Sequence, residues 1–137
     1  MQEPTASGAS KRIAFDPVTL EILWGRLVSI VDEAATGFVR TSFSSLVREA
    51  NDYAVVLTDA RGQSLSQSSL SIPSFISTLP RTVRHMMAAF PVDSLAPGDL
   101  LITNDPWLAT GHIHDVSTVA PIFQGKRLIA FSAVTSH

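Results

Sequence analysis

The stretch NDPWLATGHIHDVS, residues 104–117, gathers Asp105, His112, His114 and Asp115 in an otherwise apolar, lightly charged chain. Imidazole and carboxylate suit divalent metals such as Zn, Mn or Fe better than soft metals. Two or three imidazoles and a carboxylate suffice for a catalytic metal with an open coordination position. Such a metal polarises a carbonyl or lowers the pKa of a bound water. The spacing H-x-H-D is a weaker signature than H-E-x-x-H. Histidines so spaced also serve as ordinary surface or core residues, and spacing alone leaves both readings open.

The neighbouring elements bring a third histidine into range. Val116–Phe123 and Leu128–His137 read as two strands joined by Gln124-Gly125-Lys126-Arg127. A two-residue Gly125-Lys126 turn pairs Gln124 with Arg127 and carries His137 opposite His114. One further loop residue carries it opposite Asp115. Directly opposed residues have Cβ atoms about 4.5–5.5 Å apart, so either register places His137 beside the motif. Pro121 predicts that the first strand is an edge strand or carries a bulge.

Upstream, Asp16-Pro17 reads as a helix start, with Asp as cap and Pro at the first helical position. Apolar residues from Leu20 to Val39 recur at helical spacing, which predicts a long amphipathic helix over 17–40, or on to Arg48. Tyr53–Thr58 reads as a strand, Asp59–Gly62 as a turn, and Gln63–Ser68 as a weaker return strand. Ser64–Ser77 is serine-rich and reads as a loop. Pro80 opens a second helix over Val83, Met86, Met87 and Phe90, and Pro91 ends it. Ala96–Asp99 is a turn, and Leu100–Thr103 is a short strand leading into the motif. The expectation is an α+β fold, with a long N-terminal helix and a second helix packed on mostly antiparallel strands. Residues 1–14 read as a disordered tail and 15–137 as one domain. The chain ends in mid-strand at His137, which reads as a cut within a larger protein.

Other polar residues carry blander expectations. Asn104-Asp105-Pro106 is first a turn initiator, with Asp105 facing the site as its further role. Glu49 and Asp52 read as solvated or capping, His85 as structural, and Trp107 as loop packing or a pocket wall.

Composition narrows the function. The 137 residues are 45% hydrophobic and 16% charged, with net charge −2, so no basic footprint for nucleic acid exists. The low charge leaves room for an apolar surface that meets a partner. There are no cysteines, which excludes thiolate nucleophiles and cysteine-bound zinc. No signal peptide or membrane-spanning run is visible, and the expected location is cytoplasmic. G-x-S-x-G, G-x-G-x-x-G and the phosphate-binding loop are all missing, so any ATP must be held elsewhere.

The segments DPVTLEILWGRLVSIVDEA, REANDYAVVLTDARG, PGDLLITNDPWLATGHIHDVSTVAPIF and LIAFSAVTSH occur in an order that resembles the hydantoinase B/oxoprolinase family. That family includes the N-methylhydantoinase B subunit, 5-oxoprolinase and the acetone carboxylase alpha subunit. The resemblance covers about residues 15–137 and implies the N-terminal portion of a longer family domain. It implies a divalent metal on His112, Asp115 and His137, with His137 lying 25 residues after His112. It implies ATP and Mg on a hydantoinase A-like partner subunit; within an enzymatic reading, Asp105 is the weaker candidate to orient the attacking water. The implied activity is ATP-dependent hydrolysis of a small cyclic amide. The alternatives are an acetone carboxylase-like subunit, or a truncated non-catalytic module that docks to the partner. Many members carry His-Ile-Pro-x-His where this chain has Ser71-Ile72-Pro73-Ser74-Phe75, and His114 is an extra histidine within H-x-x-D.

Overall fold

The computed structural model describes residues 15–137; the tail expected over 1–14 lies outside the described residues. Helix α1 spans Pro17–Thr41. It starts where expected because Asp16 Oδ1 accepts the Thr19 N–H at 3.0 Å and Pro17 needs no N–H partner. It does not run on to Arg48. At Ser42 the backbone turns extended, and the Ser42 hydroxyl takes the Ser44 N–H at 3.1 Å, a local bond that competes with helix. Ser44 then caps a separate α2, Ser45–Ala50, which Asn51 ends in the left-handed region at φ 53°.

Five antiparallel strands follow: β1 Tyr53–Asp59, β2 Ser64–Gln67, β3 Leu101–Thr103, β4 Val116–Gln124 and β5 Arg127–Ser136. Their order across the sheet is β2-β1-β5-β4-β3. Helix α3, Pro73–Ala89, lies between β2 and β3 in sequence. Successive strand residues point to opposite faces, and the apolar pattern of β1 uses both. Ala54 and Val56 pack with Leu79, Val83 and Met86 of α3, together with Val119, Phe131 and Ala133. Tyr53 and Val55 pack with Val31 and Ala35 of α1 and Val47 of α2. The sheet is thus a middle layer between helices, and the expected α+β architecture holds. No helix among the described residues is long and apolar enough to cross a membrane.

One expectation about prolines needs correction and a second is met in part. Helix α3 begins at Pro73, not Pro80, so the serine-rich stretch is helical from that point. Pro73 supplies the favoured helix start, and Pro80 is carried in the interior, where it cannot donate to the Ile76 carbonyl. Pro121 is not on an edge strand, since β4 lies between β5 and β3, but the alternative of a bulge is met in the pairing beside it, where the register shifts between Ile122 and Phe123. It is tolerated because β3 pairs only with Ser117–Val119 and leaves that side of Pro121 without a strand.

The β4–β5 hairpin begins as a two-residue turn, with Gln124 opposite Arg127 and Gly125 at φ 61°. The register then slips. Phe123 pairs with Leu128 but Ile122 pairs with Ala130, so Ile129 is the extra residue of a bulge. Beyond it the ladder runs to Val116 opposite Ser136. The tight turn therefore delivers the register of the longer loop, and the next residues outward are Asp115 and His137.

Candidate metal centre

Asp115 stands at the mouth of β4 and is only 2% exposed. Its Oδ1 faces His112 Nδ1 at 3.2 Å and His137 Nδ1 at 3.1 Å. Its Oδ2 accepts the Thr110 hydroxyl proton at 2.5 Å. The His112 and His137 rings are stacked, with centroids 4.9 Å apart and planes 12° from parallel. The His114 ring lies 5.0 Å from that of His112 and 5.9 Å from that of His137.

The loop before β4 is held by backbone bonds. Thr103 Oγ1 accepts the Asp105 N–H at 3.0 Å. Asp105 Oδ1 accepts the Trp107 N–H at 2.9 Å, and the Asp105 carbonyl accepts from Leu108 and Ala109. This is the turn expected at Asn104-Asp105-Pro106. Asn104 Nδ2 donates to the Ile113 carbonyl at 3.3 Å. His85 reaches from α3 to the Leu108 carbonyl, with Nδ1 at 3.2 Å, so it anchors the loop. Gly111 at φ 93° lets the chain reverse before His112. On the other side, His137 N–H donates to the Asp52 carbonyl at 3.4 Å, and the Ser44 hydroxyl donates to the His137 carbonyl at 3.4 Å. Three side chains, two from the loop and one from the end of β5, therefore converge on one carboxylate.

Burial of Asp115 favours its neutral form. The Thr110 hydroxyl and then the two histidines oppose that, and the net effect holds the carboxyl below its ordinary value. An ionised, buried carboxylate beside two imidazoles is a donor set of two nitrogens and one oxygen. One ligand atom from each of His112, Asp115 and His137 lies within 4.8 Å of the others. This set fits a borderline divalent cation.

Among the expected site residues, His112, Asp115 and His137 come together. His114 adjoins them as a ring neighbour, and Asp105 serves the turn that leads to them. Thr110 was missed. Its only signal is a hydroxyl two residues before His112, within reach of a loop carboxylate.

Comparisons with known proteins identify the chain's relatives. Residues 16–137 match the family model described as Hydantoinase B/oxoprolinase. A protein of Pseudomonas sp. (strain NS671), provisionally named as the B component of a D-/L-hydantoinase, is 34% identical over 89% of this chain and 21% of its own length. The Arabidopsis thaliana 5-oxoprolinase 1 is 28% identical over 89% of this chain and 10% of its own. Among solved structures, nucleotide-free acetone carboxylase superposes with TM-score 0.78 at 25% identity, over 89% of this chain and 16% of that one. The ATP-dependent caprolactamase of Pseudomonas jessenii gives 0.77 at 28% identity, over 91% and 21%. The chain thus spans about a fifth or less of the length of these relatives.

Proposed function

The chain belongs to the hydantoinase B/oxoprolinase family, and from that premise we propose that it supplies the metal-binding segment of an ATP-dependent enzyme that opens small cyclic amides. The observation that carries the reading is the convergence of His112 Nδ1 and His137 Nδ1 on the same oxygen of buried Asp115. When bound there, a divalent cation (Zn, Mn or Fe) supplies Lewis-acid polarisation of a carbonyl. Asp115 stays ionised through the Thr110 hydroxyl, and its fixed carboxylate orients both imidazoles. Asp105 holds the loop and stands as the candidate to orient a water near the site.

The described residues offer no phosphate-binding loop, so ATP and Mg belong on a hydantoinase A-like partner. Dependence on ATP supports a cytoplasmic location for the complex. The apolar side chains that α1 leaves exposed, among them Leu20, Ile22 and Trp24, suit contact with further protein. A carboxylase is the second reading, supported by the nearly equal superposition on acetone carboxylase and caprolactamase. A non-catalytic docking module is the third, and it rests on the exposed face of α1 alone.

The test is an assay of the complete protein with its hydantoinase A-like partner and ATP. Hydantoin and 5-oxoproline are offered as cyclic amides, and acetone with bicarbonate as the carboxylase substrates. The hydrolase reading expects ring opening that His112→Ala abolishes. Turnover of acetone alone moves the assignment to the carboxylases. No turnover of any substrate, with partner bound, leaves the docking module.

A further inference from the structure

Three imidazoles, not two, stand beside the Asp115 carboxylate. The ring centroids of His112 and His137 are 4.9 Å apart, those of His112 and His114 5.0 Å, and those of His114 and His137 5.9 Å. An imidazole nitrogen binds zinc at about 2.0–2.1 Å, which sets the ion about 3.2 Å from the ring centroid. Two rings placed tetrahedrally on one ion then have centroids about 5.2 Å apart. All three observed spacings lie within about 0.7 Å of that value.

The single carboxylate of the cluster is buried, at 2% exposed, whereas the rings reach solvent. The side chains of His112 and His137 are 52% and 31% exposed, and His114 is exposed as well. His114 stands in the tight turn that the Asp115 N–H closes on the His112 carbonyl at 3.2 Å. That turn keeps it beside both ligands. As it stands, His114 lies outside the set of atoms within 4.8 Å of one another. An exposed side chain changes rotamer in picoseconds to nanoseconds, and the imidazole ring torsion is broad. The backbone need not move for His114 to join the set.

A third nitrogen changes what the centre selects. Imidazole suits zinc, iron, copper and nickel, whereas manganese prefers carboxylate, carbonyl and water oxygens. Two nitrogens and one oxygen accommodate both groups. Three nitrogens and one oxygen complete a tetrahedron, the geometry that zinc takes and six-coordinate manganese does not. Catalytic zinc sites expand to five ligands, so a carbonyl still has a position.

We propose that His114 is a fourth protein ligand of the centre and makes it selective for Zn²⁺ over Mn²⁺. The inference rests on the metal-binding reading of His112, Asp115 and His137, and adds to it the ligand count and the identity of the ion.

The test uses the complete protein stripped of metal. Co²⁺ stands in for zinc, because four-coordinate cobalt absorbs visible light far more strongly than six-coordinate cobalt. The wild type is expected to give the intense four-coordinate spectrum, which changes position and strength in His114→Ala. Zn²⁺ affinity should fall about tenfold or more in His114→Ala, while Mn²⁺ affinity stays within about threefold. His114→Cys gives a second decision should His114→Ala fail to fold. The chain has no cysteine of its own, so a thiolate-to-cobalt charge-transfer band absent from the wild type would place position 114 on the ion. An unchanged cobalt spectrum or unchanged Zn²⁺ affinity in His114→Ala, or no such band in His114→Cys, overturns the proposal. So does an equal loss of Zn²⁺ and Mn²⁺ affinity. A failure of the underlying reading registers separately, as a wild type that binds no Co²⁺ or as Co²⁺ binding that His112→Ala leaves intact. Loss of binding in His112→Ala, with neither His114 variant altering the cobalt spectrum, overturns the fourth ligand alone.

Discussion

His137 Nδ1 lies 3.1 Å from Asp115 Oδ1 across 22 residues of sequence, and the bulge at Ile129 is what aligns them. Without that extra residue, the two-residue turn would carry His137 to His114 instead. A strand ladder, not a local motif, therefore completes the site. The consequence is that the candidate metal centre and the hairpin stand or fall together.

The depressed Asp115 carboxyl gives a pH signature in metal-free protein. A folded-state pKa below the ordinary 3.8 means that the ionised group favours the folded state. That contribution is fully present above the unfolded value and is lost as pH falls through the folded one. Urea unfolding at stepped pH should show stability declining below about pH 4, with a shallower decline in Asp115→Asn. Thr110→Val should raise the Asp115 carboxyl toward its ordinary value and cost on the order of 1.5 kcal/mol at neutral pH. Parallel pH profiles for wild type and Asp115→Asn would contradict this.

Asp105 divides a turn role from a chemical one. Asp105→Asn keeps a side-chain oxygen for the Trp107 N–H, whereas Asp105→Ala loses it. If the turn is its whole job, Asp105→Asn keeps full activity and Asp105→Ala loses about 1 kcal/mol of stability. If Asp105 also orients a water, Asp105→Asn lowers kcat about 10²-fold or more at unchanged stability. Activity assays paired with thermal melts separate the two.

Gly62 closes the β1–β2 turn at φ 74°, where an added Cβ would lie 2.8 Å from Arg84 Cγ and 3.3 Å from Val83 Cγ1. Gly62→Ala should destabilise by about 1–2 kcal/mol from backbone strain alone. The crowding against α3 adds to that, because Arg84 Nη1 is held 2.9 Å from the Gly62 carbonyl. Chemical denaturation measures the loss.

Phe131 is fully buried between the sheet and α3. Phe131→Ala should cost about 3–5 kcal/mol. Because β5 leads directly into His137, the same variant should weaken metal binding without touching a ligand, which isothermal titration would reveal.

Most strands were legible because β1, β4 and β5 are apolar runs bounded by turn residues. The first helix was legible from Asp16-Pro17 and the apolar spacing after it. Its end was not, since Ser42–Ser44 breaks it with a local hydroxyl bond that leaves the apolar pattern intact. Pro80 misled because an interior proline and a starting proline look alike until Pro73 is seen to claim the start. At the site, His112, Asp115 and His137 were readable from the motif, the hairpin and the family resemblance. Pro121 hinted at a bulge but Ile129 itself carries no mark of one, so the register stayed open by one residue. Thr110 was invisible, because a loop threonine follows no periodicity that separates a buried partner from a solvated one.

The most direct measurement is the metal content of the complete protein, purified without added metal and compared with His112→Ala, Asp115→Ala and His137→Ala. The account predicts about one divalent ion per chain in the wild type and its loss in each variant. A metal-free wild type that stays fully active with its partner in the presence of chelator would contradict it.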